Sequence, residues 1–85
     1  LDLAANYYGT DPDEAIRLGT EARDLAEEVN FQKGLAYAYK TIGLAYLYKS
    51  VPIEALLNWQ QSLATFQVIN HKKGIANILN NIGVI

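Results

Sequence analysis

Apolar residues recur along most of this chain at steps of three and four, the spacing that lines one face of a helix. Between residues 33 and 49, Leu35, Tyr39, Ile42, Gly43 and Tyr46 share such a face. From residue 52 to about 69, Ala55, Leu56, Trp59, Leu63 and Phe66 share another. An earlier stretch beginning at Asp11-Pro12 sets Ala15, Ile16, Gly19, Ala22, Ala26 and Val29 in the same order. Pro12 and Pro52 suit a first helical position, where a missing N–H removes no intrahelical bond. Asp11 is a good N-cap, and Glu14 stands three residues on, as in a capping box. Breaks fall at Gly9-Thr10, Asn30-Phe31, Lys49 to Val51 and Asn70-His71. Connections this short set neighbouring helices antiparallel. No strand pattern competes, and the chain predicts an all-α fold of antiparallel helix pairs.

The pattern also repeats. A shift of 40 residues lays Pro12 on Pro52, Glu14 on Glu54, Ala15 on Ala55 and Asn30 on Asn70. The same shift lays Lys33-Gly34 on Lys73-Gly74, Ala36 on Ala76, and Ile42-Gly43 on Ile82-Gly83. Internal periods of this size belong to stacked helical arrays, in which each unit buries its apolar face against the next. The expected division is a partial, degenerate repeat over 1–30, a complete one over 31–70, and the first helix of a further one over 71–85. Apolar pattern runs to both ends of the chain, which reads as an excerpt from a longer array.

The run Tyr39-x-x-Ile42-Gly43-x-x-Tyr46, followed by Ala55-x-x-x-Trp59, resembles the signature of the tetratricopeptide repeat family. The third copy contributes Leu79 to Gly83, so the resemblance covers nearly the whole chain. Gly43 and Ala55 would be small where two helices cross, and Tyr39, Tyr46 and Trp59 would fill the space between pairs. The period is longer than the family's usual repeat of about 34 residues, as in its long-repeat branch. Gln67 stands near the place of the family's late proline, while Leu3 and Gly19 replace a glycine and an aromatic in the first copy. The resemblance implies helix pairs stacked as a right-handed superhelix, with the first helix of each pair lining a concave surface.

On the first helix, Tyr37, Lys40, Thr41, Leu44 and Tyr48 lie about half a turn from the Tyr39/Ile42/Tyr46 face. The next first helix offers Asn77, Asn80, Asn81 and Val84 at the matching places. This stripe mixes rings with amides, and an amide can both donate to and accept from the backbone of an extended peptide. Asparagine is a mediocre helix former, so helix propensity does not account for this group. Long-repeat members of the family carry asparagines just before the Ile-Gly pair, where Asn80 and Asn81 stand. In the preceding repeat Lys40 and Thr41 hold those places, and Leu44 replaces an asparagine that a carboxylate clamp would need. The stripe is the expected binding site for a peptide or partner protein.

Composition narrows the chemistry. Half the residues are hydrophobic (51%) and 19% are charged, a balance that folds rather than staying disordered. Net charge is −2, which argues against a nucleic-acid surface. The charge is unevenly spread: residues 1–30 hold eight acids and two arginines, net −6, and residues 31–85 hold five lysines and one glutamate, net +4. The asymmetry reads either as solvated faces that differ along the chain or as a polarity that orients a partner or a second copy. The most apolar stretch, residues 34–48, is broken by Lys40 and falls short of the roughly 20 residues of a membrane helix. No leader is visible. Cysteine is absent, which removes disulfides and thiolate sites but does not settle the compartment; localisation stays open, with cytoplasm slightly favoured. The single histidine, His71, reads as an exposed turn residue beside Lys72 and Lys73, not as a base or metal ligand. The acids Glu21, Asp24, Glu27 and Glu28 read as surface ion pairs with Arg17 and Arg23. No phosphate-cradling glycine loop is present. No cofactor, metal or catalytic constellation is expected, so any chemistry of a parent protein would lie outside these residues.

Three functions fit. The first is a scaffold binding a peptide or protein on the concave stripe. The second is a sensory or regulatory segment of a bacterial sensor kinase, cyclase or transcriptional regulator, whose repeat arrays the residues 72–85 resemble. The third is self-assembly through the uncovered apolar ends. Residues 53–69, with Glu54 the only charge, are apolar almost all round and predict burial on more than one side.

Overall fold

The computed structural model describes residues 11 to 84, and the Gly9-Thr10 turn and residue 85 lie outside the described residues. Among the described residues four helices follow one another: α1 (Pro12–Glu28), α2 (Gln32–Tyr48), α3 (Pro52–Val68) and α4 (Lys72–Val84). The described residues are all-helical, and each helix packs on the one before it.

The helix starts at 12, 32, 52 and 72 are 20 residues apart, half the sequence period. Each of the first three helices is 17 residues long and ends in the same turn. Asn30, Ser50 and Asn70 stand in the left-handed region, with φ of 57°, 63° and 52°. In each turn the N–H after that residue donates back across the helix end: Phe31 to Ala26, Val51 to Tyr46 and His71 to Phe66, at 2.7, 2.9 and 2.9 Å. The left-handed residue itself donates to Glu27, Leu47 or Gln67. This is the Schellman arrangement, which satisfies carbonyls that the helix leaves open. Proline opens only α1 and α3, so the sequence period is twice the structural one.

Asp11 caps α1 by accepting from the Glu14 N–H at 3.2 Å. The reciprocal half of the expected capping box is absent, because the Glu14 carboxylate is taken by Arg17. That pairing, through the hydrogen bond first, holds Glu14 below its ordinary value of 4.5. Arg17 also reaches Glu21, while Arg23 pairs with its neighbour Asp24. Lys49 at the end of α2 meets Asp13 in the first turn of α1 at 2.5 Å, as antiparallel neighbours should.

Helix α2 is the most enclosed, with Gly34, Leu35, Ala36, Ala38, Thr41, Ile42, Gly43 and Ala45 buried. At 100° per residue these cover well over half its circumference, because α1 and α3 both pack on it. Beyond α2, Trp59, Phe66 and Ile78 join Ala36 in a core cluster, flanked by Tyr37, Leu44, Leu63, Ile75 and Ile82. Two buried donors from α3 end on α2 carbonyls: Ser62 Oγ on Ala36 at 2.7 Å, and Trp59 Nε1 on Lys40 at 3.1 Å. As the donor number rises along α3, the acceptor number falls along α2, which fixes the antiparallel sense. A methyl group at Gly43 would run into the Trp59 ring and come within 3.0 Å of the Ala55 carbonyl oxygen. The close crossing of α2 and α3 therefore depends on glycine there.

Some burial departs from the sequence pattern. Val29 is exposed, because it is the C-cap of α1 and lies past the packed stretch. Helix α3 is not buried all round: Ile53, Leu57 and Val68 are exposed, since α2 and α4 both pack against its Trp59/Phe66 side. Scattered surface apolar residues of this kind are ordinary. No described helix is long and apolar enough to cross a membrane.

Candidate partner-binding face

The side chains of the predicted stripe divide into three groups. Asn77 and Asn80 on α4 and Tyr48 on α2 are exposed. Tyr37, Lys40, Leu44 and Asn81 are half-buried. Thr41 is buried, at the edge of the broad enclosed face of α2. The accessible stripe on α2 is therefore Tyr37, Lys40, Leu44 and Tyr48.

Tyr37 brings the α2 stripe to the beginning of α4. Its ring meets Phe66 edge-on at 5.1 Å between centroids and His71 edge-on at 6.2 Å. The Lys40 ammonium lies 5.9 Å from the Tyr37 centroid, at the outer reach of a cation–π contact. Among the described residues no carboxylate pairs with Lys40. Partial burial alone holds its ammonium below the ordinary value of 10.5. A half-desolvated cation beside an aromatic ring, with amides on the adjoining helix, suits a ligand that brings oxygen acceptors.

His71 is not the exposed turn residue expected from sequence. Its Nδ1 accepts the Gly74 N–H at 2.9 Å, so the ring caps α4. The same ring stacks obliquely on Phe66 at 5.2 Å, joining the cap to the core. A sequence signal was present: His71 precedes Ile75, the first apolar residue of α4, by four residues, where an N-cap belongs. Imidazole is an uncommon cap, and the pattern does not distinguish it from a turn residue.

A concavity unforeseen in the sequence lies at the far end of α1. Ala22, Leu25, Ala26, Val29, Phe31 and Gly34 line an apolar groove of about 210 Å³. A size difference between repeats accompanies it. Ala26 stands where Phe66 stands one repeat later, and Phe66 is fully buried against Tyr37. Among the described residues, no group of three or more His, Asp or Glu side chains is placed to hold a metal ion.

Comparison with known protein families, with curated proteins and with solved structures finds no match.

Proposed function

We propose that this chain is a segment of a tetratricopeptide-like array, its helix pairs stacked as a solenoid, and that it binds an extended segment of another protein. The binding face would be formed by Tyr37, Lys40, Leu44 and Tyr48 of α2 together with Asn77 and Asn80 of α4. The observation that carries this reading is the setting of Lys40, half-buried, without a carboxylate among the described residues, and beside Tyr37 at the seam with α4. Burying a cation part-way costs free energy that an incoming acid or carbonyl oxygen would recover. Exposed Asn77 and Asn80 would meet a peptide backbone with both donors and acceptors. Tyr37 and Tyr48 add apolar area at low entropic cost.

The test is selection from a library of random extended peptides on the intact chain. Enriched peptides should carry an acidic residue, and should lose at least tenfold in affinity with Asn77→Ala/Asn80→Ala and with Lys40→Ala. Thermal unfolding of the same variants should stay near that of the parent. Peptides that bind the variants as well as the parent would place the site elsewhere, and an absence of enrichment would sink the reading.

A further inference from the structure

Helix α3 has α2 and α4 packed on its inner side, and its outer side carries a continuous stripe. Ile53, Leu57, Gln61, Ala64 and Val68 follow one another at helical steps along about 22 Å. All five are exposed, with Ile53, Leu57 and Val68 at 72, 50 and 76%. This exposure does not depend on where the chain starts or stops. One repeat earlier the same places hold Asp13, Arg17, Glu21, Asp24 and Glu28, and these are exposed although α2 and α3 follow them. Helix α3 in turn has α1 and α2 before it and α4 after it. The stripe thus stays open on a helix with neighbours on either side. Its chemistry is what changes between repeats. All five places are charged on α1 and none is on α3, where four of the five are apolar. Exposed apolar residues are ordinary when scattered, but a line of them marks a contact surface.

We propose that this stripe packs on the same stripe of a second copy, the two α3 helices antiparallel about a dyad between Gln60 and Gln61. The occupant is a second copy because the stripe is complementary to its own reverse. In that register Ile53 of each copy meets Val68 of the other, and Leu57 meets Ala64, large against small. Gln60 meets Gln61 at the centre, where each amide can donate and accept. Glu54, the one charge on the helix, meets the Gln67 amide. All of these side chains are exposed within one chain. Every contact occurs twice, as an isologous interface requires. Ile53, Leu57, Gln60, Ala64 and Gln67 also step by four and three in turn, the spacing of a two-helix seam, and a polar residue within such a seam fixes its register. The same reversal on α1 would set Asp13 against Glu28, two like charges, so that helix is not matched to itself. A charged partner would find nothing on the α3 stripe to neutralise. The inference shares no residue with the candidate partner face and does not depend on peptide binding.

Sedimentation of the intact chain tests it. Mean mass should climb with concentration towards twice the 9.4 kDa of one chain and level off there, because the dyad closes the pair. The apolar seam should hold as salt is raised, unlike an association made by ion pairs. Ile53→Asp/Leu57→Arg gives α3 the residues that α1 carries at the same places, so the fold should tolerate it. This variant should sediment as a monomer with unchanged helicity. Register is read with single cysteines, since the chain has none of its own. An equal mixture of Ile53→Cys and Val68→Cys should form disulfide-linked dimers on mild oxidation, and neither variant should do so alone. A parent that stays monomeric would leave the stripe to a different partner and overturn the proposal. A charge variant that still associates, or cysteine variants that link as readily alone as mixed, would overturn it as well. Peptides selected on the parent should bind the charge variant equally, so failure of the partner-face reading is visible apart from failure of this one.

Discussion

The indole N–H of Trp59 ends on the main-chain carbonyl of Lys40, the residue whose side chain lies beside Tyr37 on the outer stripe. One core hydrogen bond therefore holds the turn of α2 from which the candidate face projects. Trp59→Phe removes this bond and leaves part of the indole volume empty. The Lys40 carbonyl stays within the helix ladder, so no acceptor is orphaned. A loss of about 1–3 kcal/mol is expected in denaturant unfolding, and Trp59→Ala should cost about 3–5 kcal/mol.

Gly43 and Gly83 occupy the same place in successive repeats but have opposite surroundings. A Cβ at Gly43 meets Trp59 and the Ala55 carbonyl, whereas one at Gly83 meets nothing within 4 Å. Gly43→Ala should therefore destabilise by about 1–3 kcal/mol. Gly83→Ala should be neutral or should stabilise by up to about 1 kcal/mol through helix propensity. Thermal melts check the pair, the midpoint falling for Gly43→Ala and holding or rising for Gly83→Ala.

Ser50 adopts the left-handed conformation that Asn30 and Asn70 adopt in the other two turns. Asparagine and glycine tolerate that region better than serine. Ser50→Asn or Ser50→Gly should stabilise by about 0.5–1 kcal/mol, raising the midpoint by roughly 2–8 °C. Ser50→Val should lower it, because a β-branched side chain fits the conformation worst.

Burial holds the Lys40 ammonium below its ordinary value. Between the lowered folded value and the ordinary one, the unfolded chain binds more protons than the folded one, so this group makes stability rise with pH. At neutral pH the ammonium is charged in both states and its desolvation cost is fully present. Lys40→Met should accordingly raise the neutral-pH midpoint and flatten the alkaline part of the stability profile. A midpoint lowered by that substitution would mean that the ammonium has a favourable partner in the fold.

Helix positions were legible in the sequence to within a residue. Proline at 12 and 52 and asparagine at 30 and 70 act locally, through fixed φ and through tolerance of the left-handed region. Side-chain orientation was legible only where a helix has one packed face. Thr41 was expected on the open stripe by its angle from Ile42, yet two neighbouring helices widen the enclosed arc of α2 until it includes that position. Ile53, Leu57 and Val68 failed in the opposite sense, since apolar character records cost and not contact. The groove beside Ala26 was legible only by comparison with Phe66, because a void is a property of what the neighbouring repeat would have supplied.

The helix-and-turn unit of 17 and 3 residues makes the chain arithmetically tolerant in one way and intolerant in another. Gain or loss of 40 residues keeps every helix in its role. A change of 20 preserves each local turn but exchanges the parity of all that follows, setting helices of the α1 type beside those of the α3 type. Length variation in such a chain should therefore come in whole pairs. A splice or deletion of one helix would fold locally and mismatch at the junction.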